Sequence, residues 1–365
     1  MSARRSDPAN SPAPGAAPLA ATTAGLARGA DELLRGCLAA TGQDRVLVLT
    51  DLATQDLARH IVDAASAFAP TDVRLVGDLD ADYPAAFAAV SHALDEVRPT
   101  VTVFAARDAG DRLAWDPRFW QRLDELGARH AHMPALDATS LGAGMAADYR
   151  EVAAFSEKVR RLLTGARSIT VRNALGTDIR FDLDPDRPWI ALTGLYRSAG
   201  QGGRLPQGEV FCAPLAADGT IAASVIGYPF NAETGLLAQP VRFEVRAGRL
   251  VRLDHPDDGL AARLREWFSR DEHAGRIGEF AVGTNLACTA LTGNLLFDEN
   301  VPGCHIALGH PFGDYTGADW HSEVHVDLVV DRPTIAVDGL PLIADGRYVD
   351  PPAAISFPSP KRSPA

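Results

Sequence analysis

Arg45-Val-Leu-Val-Leu-Thr50 decides the first half of the fold. It is a short apolar run between polar flanks, the pattern of a strand buried on both faces. Outward from it, helix and strand signals alternate. Upstream, residues 30–41 carry Leu33, Leu34, Cys37 and Leu38 at helical spacing. Downstream, residues 53–68 place Leu57, Ile61, Ala64, Ala65 and Phe68 on one helical face, and 73–76 reads as a second strand. A helix over 84–96, a strand over Val101–Ala105, a helix over 116–127, the segment Ala131-His-Met-Pro134 and a long amphipathic helix over 148–164 complete the series. Such alternation with short loops predicts an α/β domain over 26–165, built on an open, mainly parallel sheet. The first strand ends in Thr50-Asp51-Leu52, with no G-x-G-x-x-G after it and no G-x-x-x-x-G-K-[ST] anywhere. A nucleotide cofactor is therefore not expected on this domain.

The pattern changes near Ser168. Ile169-Thr-Val-Arg-Asn173, Thr177-Asp-Ile-Arg-Phe-Asp-Leu183, Val210-Phe-Cys-Ala213, Thr220-Ile-Ala-Ala-Ser-Val-Ile226, Val241-Arg-Phe-Glu-Val245 and Leu250-Val-Arg-Leu253 are strand-like. Turn signals such as Ala217-Asp-Gly-Thr220 and Arg246-Ala-Gly-Arg249 separate them. A helix over 257–270 interrupts the series, and strands over 280–283, Cys304–Gly309, 324–329 and Thr334–Val337 follow. Residues 166–350 thus read as a largely antiparallel β (α+β) domain. Residues 1–25 and 351–365 read as disordered tails. Arg4 and Arg5 resemble the start of an export signal, but Pro8, Pro12 and Pro14 interrupt any apolar core for one.

Composition narrows the function. The 365 residues carry a formal net charge of -12 and no basic run, which argues against a nucleic-acid partner. A small molecule or short peptide remains the expected substrate. No apolar stretch is long enough to span a membrane. The four cysteines, Cys37, Cys212, Cys288 and Cys304, form no Cys-x-x-Cys pair and read as buried thiols of a reducing cytoplasm.

Candidate chemistry lies in the second half. In Ser-Glu-Val-His325-Val-Asp327-Leu, strand alternation points His325 and Asp327 to one face, a pair able to bite a divalent metal. On its own, H-x-D equally describes a half-exposed surface strand. His305 in Gly-Cys-His-Ile-Ala-Leu-Gly, Glu279 in Ile-Gly-Glu-Phe-Ala-Val-Gly and Glu209 in Gln-Gly-Glu-Val-Phe-Cys each put an ionisable group inside an apolar run. A buried carboxylate is costly without a partner, and a cation supplies one for all of them together. Two Glu, two His and one Asp suit Zn, Co, Mn or Fe(II), as one or two ions. The loop 309–322 adds His310, Asp314, Tyr315 and His321 as a substrate wall or spare ligands, or as a solvated loop. The general base is open between Glu279 and a loop residue such as His310.

Taken in order, Leu205-Pro-Gln-Gly-Glu-Val-Phe-Cys-Ala-Pro214, Ile277-Gly-Glu-Phe-Ala-Val-Gly-Thr-Asn285, Asn294-Leu-Leu-Phe-Asp-Glu299, His305-Ile-Ala-Leu-Gly309 and Val324-His-Val-Asp-Leu328 resemble the M29 (aminopeptidase T) metallopeptidase family. Val337-Asp-Gly, Asp345-Gly-Arg and Arg129-His-Ala-His-Met-Pro134 add weaker similarity. The resemblance implies a two-metal, usually dimeric exopeptidase. It makes Glu209, Glu279, His305, His325 and Asp327 the metal ligands, with Glu279 able to bridge two ions. The family's tyrosine, seven residues after the histidine of His-x-Ala-Leu-Gly, is here Phe312, which cannot ligate; Tyr315 is the nearest substitute. The sequence is also similar to the 2,5-dihydroxypyridine 5,6-dioxygenases, mononuclear iron enzymes with histidine where this chain has Glu279. Three readings follow: an aminopeptidase-like hydrolase using metal-activated water, an iron ring-cleaving dioxygenase on a hydroxylated (hetero)aromatic, and a non-catalytic scaffold of the same fold.

Overall fold

Local capping chemistry starts and stops the helices of the first half. In a computed structural model, which describes residues 21–349, Asp82 accepts from the Ala85 N–H at 3.1 Å and opens the helix Tyr83–Val97, with Pro84 in its first turn. Asp116 and Pro117 do the same for Pro117–Leu126, which ends where Gly127 turns left-handed at φ 63°. Asp148 opens Tyr149–Leu163. The N-terminal helix begins earlier than the reading of residues 1–25 as a tail allows. Thr22 accepts from the Gly25 N–H at 3.0 Å and starts Thr23–Asp31, which continues into a π-helical turn, Glu32–Cys37. The small residues there (Ala, Gly) carry little periodic signal, which hid the helix. The rest of the two tail readings, 1–20 and 350–365, lies outside the described residues.

Between these helices runs a five-stranded, all-parallel sheet in the order Thr71–Leu75, Val46–Thr50, Val101–Ala105, Arg129–His132, Gly202–Arg204. Alternation along Val46–Thr50 sends Val46 and Val48 into the cluster under helix Gln55–Ser66 and the N-terminal helices. Leu47 and Leu49 enter the cluster under Tyr83–Val97 and Pro117–Leu126. The sheet is covered on both faces, as an all-parallel sheet requires. Asp51, just past the first strand, accepts from the Ala53 and Thr54 N–H groups at 2.8 Å, so a carboxylate fills that helix entrance.

The fifth strand is not among those expected from the sequence. Gly202–Arg204 comes from beyond residue 165 and pairs with Arg129–His132, a partner far away in sequence.

The second sheet has thirteen strands, antiparallel throughout. At its centre run Ala216–Ile226, His325–Val330, Cys304–Gly309, Ile277–Gly283 and Glu209–Cys212, side by side in that order. The inserted helix is Asp258–Trp267, whose Leu260, Ala261 and Leu264 join the core against this sheet. Strands Ile190–Leu192 and Arg347–Tyr348 are too short to show a period, and Pro341 interrupts Leu340–Ala344, so none of the three was expected. All four cysteines are buried free thiols. No helix among the described residues is long and apolar enough to cross a membrane.

Phe280 is fully buried, with ring centroids of Phe181 at 5.0 Å and Trp189 at 6.3 Å. Phe280→Ala should cost about 3–5 kcal/mol of unfolding free energy in urea titration. A loss under about 1 kcal/mol would contradict this account of the core.

Candidate metal centre

Four adjacent antiparallel strands build the site, by alternation in three of them and by alternation with one irregularity in the fourth. Along Cys304–Gly309, the residues Cys304, Ile306 and Leu308 enter the main core, so His305, Ala307 and Gly309 face the other way. Val326, Leu328 and Val330 likewise turn His325 and Asp327 outward, and Val210 and Cys212 turn Glu209 and Phe211 outward. In Ile277–Gly283 an irregularity between Ile277 and Glu279 resets the face, giving Glu279, Ala281 and Gly283. Register then sets Glu279 beside Ala307 and Ala307 beside Asp327; His305 pairs with Ala281, His325 with Gly309, and Glu209 with Gly283. Apart from Val329 beside His305 and Leu192 beside Glu209, the cross-strand neighbours of these ionisable groups are alanine or glycine, which leaves room between them. At Gly309, with φ 107°, a Cβ would lie 1.9 Å from the Val324 carbonyl, so glycine is required.

The five groups converge. His305 Nε2 lies 3.2 Å from Glu209 Oε2, 3.5 Å from Glu279 Oε1 and 4.0 Å from Asp327 Oδ1. His325 Nε2 lies 3.3 Å from Asp327 Oδ1 and 3.7 Å from Glu279 Oε2. Glu279 thus stands between the two imidazoles. Ligand atoms of Glu209, Glu279 and His305 all fall within 4.8 Å of one another. Two supports hold the shell: Gln207 Nε2 donates to Glu209 Oε1 at 3.1 Å, and His325 Nδ1 donates to the His310 carbonyl at 2.9 Å. With Nδ1 engaged, Nε2 is the ring atom that faces Asp327 and Glu279, where it can donate to a carboxylate or, when deprotonated, ligate a cation.

Charge is crowded here. Burial pushes the Glu209 carboxyl up to about 7, with Glu279 and Asp327 adding to the shift and His305 opposing it. Burial would lower His305, but the bond to Glu279 and the charges of Glu209 and Asp327 raise it to about 10. Asp327 is also opposed by burial, yet His325 holds it well below the usual carboxylate range. Glu209 Oε2 and His305 Nδ1 are buried with no hydrogen-bond partner. Three buried carboxylates, two imidazoles and an orphaned carboxylate oxygen fit a divalent cation: the donors are hard-to-borderline and the negative charge lacks a balance.

The cluster forms one wall of a cavity of about 500 Å³ at the carboxyl ends of the parallel strands. Phe104, His132 and Arg204 stand in register at those ends. There the buried His132 Nε2 meets Asp111 Oδ1 at 3.0 Å, Asp111 Oδ2 accepts from Arg204, and Arg204 Nη1 lies 3.6 Å from Glu299 Oε2. His130 extends the line, with Nε2 at 3.3 Å from His132 Nδ1 and Nδ1 at 2.7 Å from Thr102 Oγ1. Trp115, Trp120, Ile190, Leu192, Phe211 and Phe312 supply an apolar wall.

Of the loop residues, Tyr315 reaches the cavity while remaining 65% exposed. Phe312, where a tyrosine was looked for, packs its ring 4.7 Å from His325 and 5.9 Å from Trp115. His310 is placed differently from the reading of it as a general base. Its ring is not part of the cavity wall; it packs on Trp115, Phe312 and His321, its Nδ1 accepts from the Phe312 N–H at 3.1 Å, and its carbonyl orients His325. His321 and Asp314 likewise stand off the cavity wall. Sequence reasoning gave no role to Asp111, Trp115, Arg204 or Glu299. The available signals were a charged residue inside Gly202-Gly-Arg204 and the Asp-Glu pair ending Asn294-Leu-Leu-Phe-Asp-Glu299.

Comparison with known proteins follows this geometry. A family model described as thermophilic metalloprotease (M29) matches residues 137–349, more than half of the chain. Among solved structures, wild-type AmpT from Thermus thermophilus is similar at TM-score 0.66 and 19% identity, covering 89% of this chain and 99% of its own. A 2,5-dihydroxypyridine dioxygenase from Pseudomonas putida KT2440 is similar at TM-score 0.65 and 17% identity, covering 90% and 98%. At such identities these two likenesses speak to the fold and do not choose between the activities. No curated protein sequence matches.

Asp111 is fully buried between Arg204 and His132. Asp111→Asn should lower the unfolding free energy by about 1–3 kcal/mol, because it removes the charged partner that both His132 and the half-buried Arg204 share. Urea denaturation checks this, and a change within about 0.5 kcal/mol would show that the ion pair does not hold the cavity floor.

Proposed function

The chain belongs to the M29 family of metalloproteases, and from that premise we propose that it is an aminopeptidase-like hydrolase of a small amide or short peptide bearing a free amine. The observation that carries the reading is the buried convergence of Glu209, Glu279, His305, His325 and Asp327 on one cavity wall. These five residues would hold one or two divalent cations, with Glu279 facing both imidazoles. A cation held there supplies Lewis acidity, lowering the pKa of a water and polarising a carbonyl oxygen.

The chain's own residues do the rest. Gln207 fixes one oxygen of Glu209, and the His310 carbonyl fixes the tautomer and direction of His325. Trp115, Phe211 and Phe312 give the wall beside the cluster an apolar surface, and the buried charges behind it interact in a lower dielectric than water. Glu279, a carboxylate within reach of both imidazoles, is the group of this set best placed to accept a proton from an attacking water. The cavity volume, about 500 Å³, suits a single residue or dipeptide-sized ligand.

Donor chemistry favours hydrolysis over oxygen activation. His305, His325 and Asp327 alone would make the two-histidine, one-carboxylate set of a mononuclear iron site, but Glu209 and Glu279 add two further carboxylates, charge enough for a pair of divalent ions. Purified protein should carry between one and two divalent ions by elemental analysis and turn over an aminoacyl-anilide. Glu279→Ala and His325→Ala should each reduce metal occupancy and lower kcat/KM by about 100-fold or more while the circular dichroism spectrum stays that of the parent. One iron per chain with oxygen uptake on a hydroxylated pyridine would replace this reading by the dioxygenase. Absence of any bound metal, with a melting temperature indifferent to chelator, would replace it by a scaffold.

A further inference from the structure

Both sheets stop at the cavity. The parallel sheet ends in the strand Gly202–Arg204, and one end of the antiparallel sheet is Ile190–Leu192. Gly202, Gly203 and Arg204 line the same cavity as the metal cluster, as do Ile190 and Leu192. Glycine has no side chain, so at Gly202 and Gly203 the main chain itself is the wall. An edge strand is ordinarily kept short or covered, because its unpaired N–H and C=O groups take up an extended chain that reaches them.

The ladder shows which groups are free. The His130 N–H donates to the Gln201 carbonyl at 2.9 Å, and the Leu205 N–H donates to the His132 carbonyl at 3.1 Å. Alternate residues of a parallel strand turn their main-chain groups to the same neighbour, so Gln201, Gly203 and Leu205 face Arg129–His132. Gly202 and Arg204 turn theirs to the open edge. There the Arg204 carbonyl accepts from the Tyr196 hydroxyl at 3.1 Å. The Gly202 N–H, the Gly202 carbonyl and the Arg204 N–H have no partner among the described residues, and both residues are half-buried. The two faces of the strand are closed. A Cβ at Gly202 would lie 2.7 Å from the His130 Cβ, and one at Gly203 would meet the Tyr196 hydroxyl. The open direction is therefore edgewise. Two N–H donors and a carbonyl spaced along one edge match the main chain of a peptide, as in strand addition.

We infer that the substrate's main chain is taken up as an added strand on the edge Gly202–Arg204. The inference rests on the aminopeptidase-like reading and deepens it: the substrate class is an extended peptide of three or more residues, held by backbone amides beyond the bond that is cut. Trp115 and Tyr315 line the cavity and are exposed, so the far end of a longer chain can leave between the cavity and solvent beside them.

The test uses penta-alanine whose first amide is replaced by an uncleavable methylene-amine link, and the two-residue compound with the same link. Both are titrated calorimetrically into the metal-loaded full chain. The longer probe should bind at least about tenfold more tightly, the worth of two or so hydrogen bonds. Replacing single amides of the longer probe by esters removes one N–H at a time. The penalty, about threefold to tenfold, should alternate: at the second and fourth amides, or at the third alone, because alternate residues face a strand edge. Amide exchange followed by NMR locates the contact on the protein. The bound longer probe should slow exchange of the Gly202 and Arg204 N–H groups at least about tenfold and leave Gly203, already in the ladder, unchanged. Equal affinity of the two probes, no binding of either, ester penalties that are absent or uniform, or unchanged exchange at Gly202 and Arg204 each overturns the inference. The expected pattern in a protein that turns over no aminoacyl-anilide leaves the inference standing and removes the aminopeptidase reading. Turnover of the anilide without the pattern does the reverse.

Discussion

Desolvated negative charge is the constraint around which this molecule is arranged. Glu209, Glu279 and Asp327 are each less than a tenth exposed, and each sits on a strand whose reverse side is packed into the main core. A carboxylate in such a place is costly unless positive charge and hydrogen bonds surround it. Two imidazoles provide part of that charge, and the remainder is what makes the site selective for a cation. The alanines and glycines between the ionisable side chains are the steric complement of the same constraint, since any larger residue there would fill the space where opposite charge must sit.

The parallel half answers this wall with a second electrostatic unit of different character. Asp111, Arg204, His132 and His130 form a line of buried polar groups that ends at Glu299. Its members come from a loop, two neighbouring parallel strands and the segment after a short helix, so the cavity exists only when both sheets are in place. Buried polar networks of this type are stiff when fully satisfied, and here satisfaction runs out at one end. That end lines the cavity together with the metal cluster.

Much of this is legible in the sequence. Val-His325-Val-Asp327 announced two polar groups on one strand face, and period-two alternation is a local property. Glu279 and Glu209 stood out because an acid inside an apolar run needs a reason. The strands of the first sheet were readable as well, because runs such as Val46–Thr50 are apolar at every position but the last. What was not legible is what depends on distant pairing or on loop shape. Gly202–Arg204 has no apolar signal, and its place is set by hydrogen bonds to a strand some seventy residues earlier. His310 could be noticed as a histidine in a glycine-rich loop, but the direction of its ring follows from packing against Trp115, which belongs to the other half of the chain. The N-terminal helix escaped because its residues are small and its start depends on one threonine cap.

The irregularity ahead of Glu279 has a consequence for how such a site can vary through descent. On a β-ladder, the side of the sheet to which a residue belongs is decided by whether its count along the strand is odd or even. Ile277 lies in the core and Glu279, two positions on, lies on the opposite face, so the strand changes parity once, at Gly278, and keeps it thereafter. Gly278 tolerates this because a Cβ there would come within 2.6 Å of the Gly309 carbonyl, making glycine the one residue that fits the kink. Loss of that single extra residue would swap Glu279 and Phe280 between oil and cavity in one step. A substitution at Glu279 therefore leaves its position facing the cavity, whereas a deletion at Gly278 turns that position into the core.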